Sequence, residues 1–414
     1  MHRLVVIGSL MENVRLVKKA KERGYYTIVC DGYENGPAKK IADQYYDINV
    51  RDVDAIAQMC LEEKADGIIG SFSDIIFEKI TEIAAKAGIK WYATPGQIPQ
   101  YRDKNVAKKL MDSLGIRVPK YRLLSGDFQN DQISDLHFPL VVKPVTGWGS
   151  KGIFVAHNPE EIRSKYNEAA DANSDAQVQV EEFSQGREYN MTTWVIDGKV
   201  HVISIADREK NPQTGDTVPL LNRIVYPALH IHEVIDEARE VLQKFIDATG
   251  QKSGPLSMQF FYNEYGVEVC EIAGRIFGYE HEMVDICSGL NIEDMLLDYV
   301  YDEKSLKKRL STHSPFFTKC CQGLYFVGKQ GKVIKDQTMI DKLGQDPHVL
   351  EAIKFYKDGE KIDNYGPNPY LARYYIMADS REKLDQIAER FFDLMYVEDT
   401  EGHDLSERFI LEKE

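Results

Sequence analysis

Apolar positions in the first part of the chain alternate between two periods. Residues 4–7 (Leu-Val-Val-Ile) form a short unbroken apolar run, after which Val14, Leu16, Val17 and Ala20 recur at helical spacing until Gly24. A second run covers 25–30 and ends at Asp31. Ile56, Ala57, Cys60 and Leu61 mark another helix, which leads to the run 67–70. A further stripe through Ile76, Ile80, Ile83 and Ala84 closes at Gly88. Strands alternating with amphipathic helices predict a parallel sheet with helices on both faces, assigned to a Rossmann-like domain over 1–97. The first turn, Gly8-Ser9-Leu10-Met11-Glu12-Asn13, lacks the later glycines that let a backbone approach a pyrophosphate. The expectation is therefore a scaffold without NAD.

After Pro95 and Pro99 the pattern changes. Asp103 is placed to cap a helix through Lys104, Ala107, Leu110, Met111 and Leu114, ended by Gly115, so 98–119 reads as a helical linker. Residues 120–186 read as strands at 121–124, 138–143, 153–156 and 177–183 around one helix that follows Asn158-Pro159. A hairpin over 188–205 turns at Asp197-Gly198, a long helix covers 234–248, and a second hairpin covers 256–272. The tail carries strands at 323–327 and 372–378, a helix at 381–395 and a polar end, giving a larger unit over 187–414. The fold class expected is mixed, α/β followed by α+β.

A length of 414 residues suits two or three domains, at about 100–200 residues each. No apolar stretch is long enough to span a bilayer, and the N-terminus reads as a strand and not as a leader, so a cytoplasmic protein is expected. The net charge of −15 argues against nucleic acid as a partner, but a few local lysines and a metal ion can still hold a nucleotide. Cys30, Cys60, Cys270, Cys287, Cys320 and Cys321 include no C-x-x-C pair, which points away from zinc and disulfides and toward core-filling thiols.

Three segments could carry chemistry. The loop from Val145 to Gly152 holds Gly147, Gly149, Ser150, Lys151 and Gly152 between two strands, and successive glycine amides can cradle phosphate oxygens. It is not a Walker A loop, because Ile153 and Phe154 follow Gly152. Taken alone it could be a flexible turn, but Lys143 immediately upstream closes a Val-Val strand and aims an ammonium at whatever the loop covers. The second segment, ending Glu181-Glu182-Phe183-Ser184-Gln185-Gly186-Arg187-Glu188, could offer backbone groups to a base edge and a carboxylate to ribose hydroxyls; the plainer reading is a solvated acidic turn. In the third, Gln259 and Glu271 share parity across a hairpin. They face each other only if the turn is odd-numbered, for example Glu264-Tyr265-Gly266 with Gly266 left-handed. An amide oxygen opposite a carboxylate would suit Mg²⁺, and Arg275 just beyond could stabilise phosphoryl charge; the alternative is an ordinary surface hairpin.

In this order the segments resemble the ATP-grasp superfamily over nearly the whole chain. The resemblance implies a Rossmann-like first domain, a small lid and a larger catalytic domain that clamp ATP between two sheets. It implies nucleotide-binding lysines at Lys104 and Lys143, a phosphate loop over Gly147, Gly149, Ser150 and Gly152, and an adenine segment at Glu181, Glu182 and Phe183. It puts a ribose carboxylate on Glu188, metal ligands on Gln259 and Glu271, and a catalytic arginine on Arg275. Gln259 in the first metal position is similar to carbamoyl-phosphate-synthetase-like members. The tail from Gly323 to Asp399-Thr400-Glu401-Gly402 looks like the closing segment of amino-acid-ligase and carboxylase members. The family pattern Glu-x-Asn-x-Arg reads Glu271-Ile272-Ala273-Gly274-Arg275 here, so Ala273 removes a metal ligand. That alanine, with Gly278 beyond it, is similar to some L-amino-acid ligases. The biotin-carboxylase branch is disfavoured because its lid loop has a longer glycine run.

The resemblance implies an ATP- and Mg²⁺-dependent (or Mn²⁺-dependent) ligase that joins a carboxylate to an amine through an acyl phosphate, with dipeptide-like ligation as the main reading. Carboxylation through carboxyphosphate, as in purine biosynthesis, is one alternative. A nucleotide-binding protein without ligase activity is another, and a purely structural domain a third. His281, beside Glu280, is a candidate substrate contact whose plainer reading is a hydrogen-bonded structural histidine. The expected partners are small molecules, with a homodimer favoured by general frequency.

Overall fold

The computed structural model describes residues 1–70, 72–145, 152–171, 178–212, 218–277, 281–363 and 369–411. The N-terminal parallel sheet runs in the order Gln44–Tyr46, Tyr26–Cys30, Arg3–Ile7, Gly67–Ile69. The sequence pattern missed Gln44–Tyr46, a three-residue edge strand too short and too polar to register as an apolar run. Helices Met11–Glu22, Val53–Glu62 and Asp74–Ala87 cover this sheet. They bury Leu16, Val17, Ile56, Cys60, Ile80 and Ile83, the stripe positions of the sequence.

The helix Lys104–Ser113 follows, and the Asp103 side chain accepts from the amides of Asn105 and Val106, which supplies the expected N-cap. A small antiparallel sheet comes next, ordered Tyr121–Leu124, Val178–Glu182, Leu140–Pro144, Phe154–Ala156. Helix Pro159–Asp171 packs Ile162, Tyr166 and Ala169 onto Leu140, Val142, Val178 and Val180. The large sheet has eight antiparallel strands: Gly266–Ala273, Ser253–Asn263, Arg187–Ile196, Lys199–Lys210, Leu221–Tyr226, Cys320–Val327, Tyr370–Ala378 and Val349–Lys354. Asp197 and Gly198 both take positive φ, 52° and 73°, as a tight two-residue hairpin requires.

The sequence reading left 273–321 without elements, yet helices His281–Ser288, Ile292–Tyr301 and Glu303–Thr312 lie there. Ile292–Tyr301 buries Glu293 and Asp298 beside its apolar residues, so no clean stripe marks it. Asp298 is matched by Arg23 at 2.6 Å and Arg309 at 2.6 Å, which permits its burial.

One apolar core runs from Leu4 and Leu16 of the N-terminal unit to Trp194, Phe245 and Tyr299 of the large sheet and its helices. Tyr92 lies inside it and donates its hydroxyl to Gly274 O at 2.9 Å. The Tyr92 ring also lies against Gly254, where φ is +107° and an added Cβ would stand 2.3 Å from the ring. Gly254→Ala is therefore expected to destabilise the chain by about 1–3 kcal/mol through overpacking, read as a lowered melting temperature, whereas Gly96→Ala, in open space and without a left-handed φ, should lower it far less.

Candidate active site

Lys104 and Lys108 lie four residues apart on one helix and therefore share a face. Lys143 and Glu181 share a face of the small sheet, because Val141 pairs with Glu181 and Lys143 with Gln179. Glu181 is thereby gripped from two sides. Lys108 Nζ lies 2.7 Å from Glu181 Oε2, and Lys143 Nζ donates to Glu181 Oε1. All three side chains are almost completely buried. Burial would raise the pKa of Glu181, but the two ammonium groups override it and hold the carboxylate at about 2. Burial also opposes the charge on Lys143, yet Glu181 lifts its pKa above the ordinary lysine value. Lys104 moves the other way: burial lowers it, Lys143 adds to the shift, and Glu271 only partly compensates.

The pair Gln259 and Glu271 does face across the hairpin, but not by the expected route. The turn holds two residues, since Asn263 pairs with Gly266, and such a turn alone would put the pair on opposite faces. A bulge between Gln259 and Phe260 restores the register by leaving Cys270 without a cross-strand partner. Gly266 is left-handed, at φ 93°, as expected. Gln259 Nε2 donates to Glu188 Oε1 at 2.6 Å. Glu188 also binds Arg208 at 2.8 Å and Lys210 at 2.6 Å, and these cations hold its pKa below the usual range against the effect of burial.

Strand alternation turns the Glu182 side chain to the other face of the small sheet, where it accepts from His137 N at 2.9 Å. The amides of Glu182 and Phe183 already donate to Lys120 O and Pro139 O, so a base edge would find both donors taken. Gly152 is described, with φ 71°, whereas Gly147, Gly149, Ser150 and Lys151 lie outside the described residues, as do Gly278 and Glu280. Arg275 forms a two-pronged ion pair with Asp74, both contacts 2.7 Å, which ties the end of the hairpin to a helix of the N-terminal unit. Burial opposes charge on Asp74, but Arg275 keeps its pKa below normal. Ala273 is buried opposite Ser257. His281 is also buried; it stacks on Phe72 at 4.3 Å and lies 3.2 Å from Glu293.

Sequence reasoning missed Lys108, Cys270 and Asp74. Lys108 left one usable signal, its i+4 spacing from Lys104. Cys270 and Asp74 left none, because one depends on a bulge and the other on packing between distant segments.

The structure matches known folds over its length. The L-amino acid ligase from Bacillus licheniformis aligns with a TM-score of 0.79 at 18% identity, covering 96% of this chain and 98% of that one. The N5-carboxyaminoimidazole ribonucleotide synthetase from Thermotoga maritima aligns at 0.72 and 17% identity, covering 96% and 99%. Residues 136–282 match the family described as ATP-grasp domain. Fold and domain agree: the chain has the ATP-grasp fold, and residues 136–282 match an ATP-grasp domain. Among curated proteins it is similar to the formate-dependent phosphoribosylglycinamide formyltransferase of Wolinella succinogenes, 24% identical over 276 residues, 66% of this chain and 70% of that protein. The protein of that name from Nitratiruptor sp. is 26% identical over 184 residues, and the match spans 47% of its length. Among the described residues, no helix is long and apolar enough to cross a membrane.

Removing Lys108 would leave a buried carboxylate with half its compensation. Lys108→Met is expected to cost about 3–5 kcal/mol, and Lys108→Met combined with Glu181→Leu to recover part of that loss, both read by calorimetric melting. The pH dependence has a defined sign. Because the folded pKa of Glu181 is depressed to about 2, its contribution is complete above the ordinary carboxylate pKa and is lost as pH falls toward 2. The melting-temperature difference between Glu181→Gln and the parent should therefore shrink across that acid range.

Proposed function

We propose that this chain is an ATP-dependent ligase that activates a carboxylate as an acyl phosphate and passes the acyl group to an amine. One observation carries the reading: Lys104 and Lys143 both interact electrostatically with Glu271, which is paired across the hairpin with Gln259. Two ammonium groups and two oxygen donors thus converge from separate segments, the set a nucleoside triphosphate and a divalent cation require.

A carboxylate resists attack by an amine because its leaving group would be oxide. Phosphorylation supplies phosphate as the leaving group, so the protein's work is positioning and charge neutralisation. Lys104 and Lys143 contact the phosphates. The Glu271 carboxylate and the Gln259 amide oxygen fit Mg²⁺, which takes oxygen ligands and would neutralise charge between the terminal phosphates. Glu181 and Phe183 border the adenine, and Glu188 takes the ribose. Arg275 steadies the acyl phosphate, a group that competes with Asp74 for its guanidinium. Residues 120–186, with the glycine loop up to Gly152, act as the lid that excludes water from the intermediate. Residues 1–97 and 187–414 form the floor, joined through 98–119.

The names of the sequence relatives favour a purine-type acceptor over dipeptide formation, since they specify formyl transfer to phosphoribosylglycinamide. Ala273 is the specific observation behind the second reading, amino-acid ligation. Phosphate release measured with ATP and Mg²⁺, against formate, bicarbonate and amino acids paired with amines, separates these readings when products are identified by mass spectrometry. Lys143→Ala is expected to lower the rate at least about 100-fold. ATP binding without turnover on any pair would sink the ligase reading in favour of a non-catalytic nucleotide binder. Bicarbonate-dependent hydrolysis would move it to carboxyphosphate chemistry.

A further inference from the structure

Two of the six cysteines meet in the interior. Cys287 ends the buried stripe Met283, Val284 and Cys287 of helix His281–Ser288, and Cys321 lies at the start of strand Cys320–Val327. Helix and strand pack together in the shared apolar core. The Cys321 Sγ donates to Met283 O at 3.4 Å. In an α-helix that carbonyl also takes the amide of the residue four further on, which here is Cys287. The Cys321 sulfur is therefore fixed against the turn that carries Cys287, and the two thiols interact side chain to side chain.

The other thiols stand in different surroundings. Cys30 and Cys60 are enclosed in the core of the N-terminal unit, Cys60 acting on Cys30 through its charge. Cys270 faces the charged groups Lys143, Glu181, Glu188 and Glu271. Cys320 follows strand alternation to the opposite layer, where it packs against the second apolar cluster.

Exposure sets an order within the pair. Cys321 is completely buried, whereas Cys287 keeps 6% exposure, one residue before the helix ends. Burial first, then the Cys287 thiol, pushes the Cys321 thiol well above its ordinary range, so Cys321 stays protonated until a partner sulfur reaches it. The helix has only eight residues, and local opening at its end bares Cys287 first. We propose that Cys287 and Cys321 form a thiol–disulfide exchange site for a small-molecule disulfide, and that their bond pins helix His281–Ser288 to the large sheet. This goes beyond the ligase reading and does not rest on it.

The chemistry balances in two exchanges. Cys287 gives its proton to solvent, and the thiolate attacks one sulfur of the small disulfide. That S–S bond breaks, and one half leaves as a thiolate, which takes the Cys321 proton. The Cys321 thiolate attacks the Cys287 sulfur, and the second half leaves as a thiolate and is protonated from solvent. Two protein thiols lose two electrons, and one small disulfide becomes two thiols. The pinned helix begins six residues beyond Arg275, so its freedom to open becomes tied to the redox state of the pair.

The test uses the full chain with oxidised glutathione, then thiol blocking and peptide mass mapping without reduction. The expected product is a cross-linked peptide pair, Cys287 with Cys321, reversed by a phosphine reductant. Cys287→Ser is expected to abolish the cross-link and leave Cys321 unmodified. Cys320→Ser, which removes a partly exposed competitor, should keep the cross-link yield within about twofold of the parent. Amide hydrogen exchange gives a second readout: helix amides of the cross-linked chain should exchange at least about tenfold more slowly than those of the reduced chain. A stable glutathione adduct on Cys287 with Cys321 free overturns the proposal, and so does the absence of any product at Cys287. Cys30 and Cys60 linking as fast as the pair also overturns it, because the reaction would then run through global unfolding. Unchanged exchange in the cross-linked chain overturns the pinning. Each readout is independent of catalytic turnover.

Discussion

The arrangement depends on one buried carboxylate. Glu181 sits in the interior between Lys108 and Lys143, and each lysine comes from a different structural piece, a helix and a strand of the small sheet. A lone buried charge would neutralise itself or expel its segment, so these groups are stable only as a set. The set fixes the distance between the helix that carries Lys104 and the strand that carries Lys143. A triphosphate entering between them would meet ammonium groups already in place, and Lys143 could exchange one anionic partner for another without passing through an uncompensated state.

Much of this was written in local pattern. The stripe through Val14, Leu16 and Val17, the cap at Asp103 and the turn at Asp197-Gly198 each have a short-range physical cause, and each appears as expected. The Gln259–Glu271 pairing was legible as a parity argument, but its register comes from a bulge at Cys270 that no turn residue announces. The burial of Lys108 was illegible for a related reason, although its spacing from Lys104 was not. A lysine in an amphipathic helix reads as solvent-facing, and its burial makes sense only once Glu181, distant in sequence, supplies the counter-charge. The helix Ile292–Tyr301 was hidden because Glu293 and Asp298 break its stripe, and their partners come from other helices.

Proteins named for different chemistry share this fold at 16–18% identity, from an L-amino acid ligase to ribonucleotide synthetases. What the fold holds in common is the arrangement of its sheets and helices. What it leaves open is the side chains of the site, since one fold can host many chemistries. In this chain the junction with the N-terminal unit carries Asp74 on Arg275 and the carboxylates around His281.

The shared core has a practical consequence for dissection. Leu4 and Leu16 pack into the same apolar body as Trp194, Phe245 and Tyr299, and the Tyr92 ring fills the space over Gly254. A chain cut after residue 97 would strip one wall from that body and bare a broad greasy face on the remainder. Such a fragment would self-associate in solution instead of behaving as an autonomous module. Chimaeras that exchange substrate preference between relatives would have to carry both walls of the junction together.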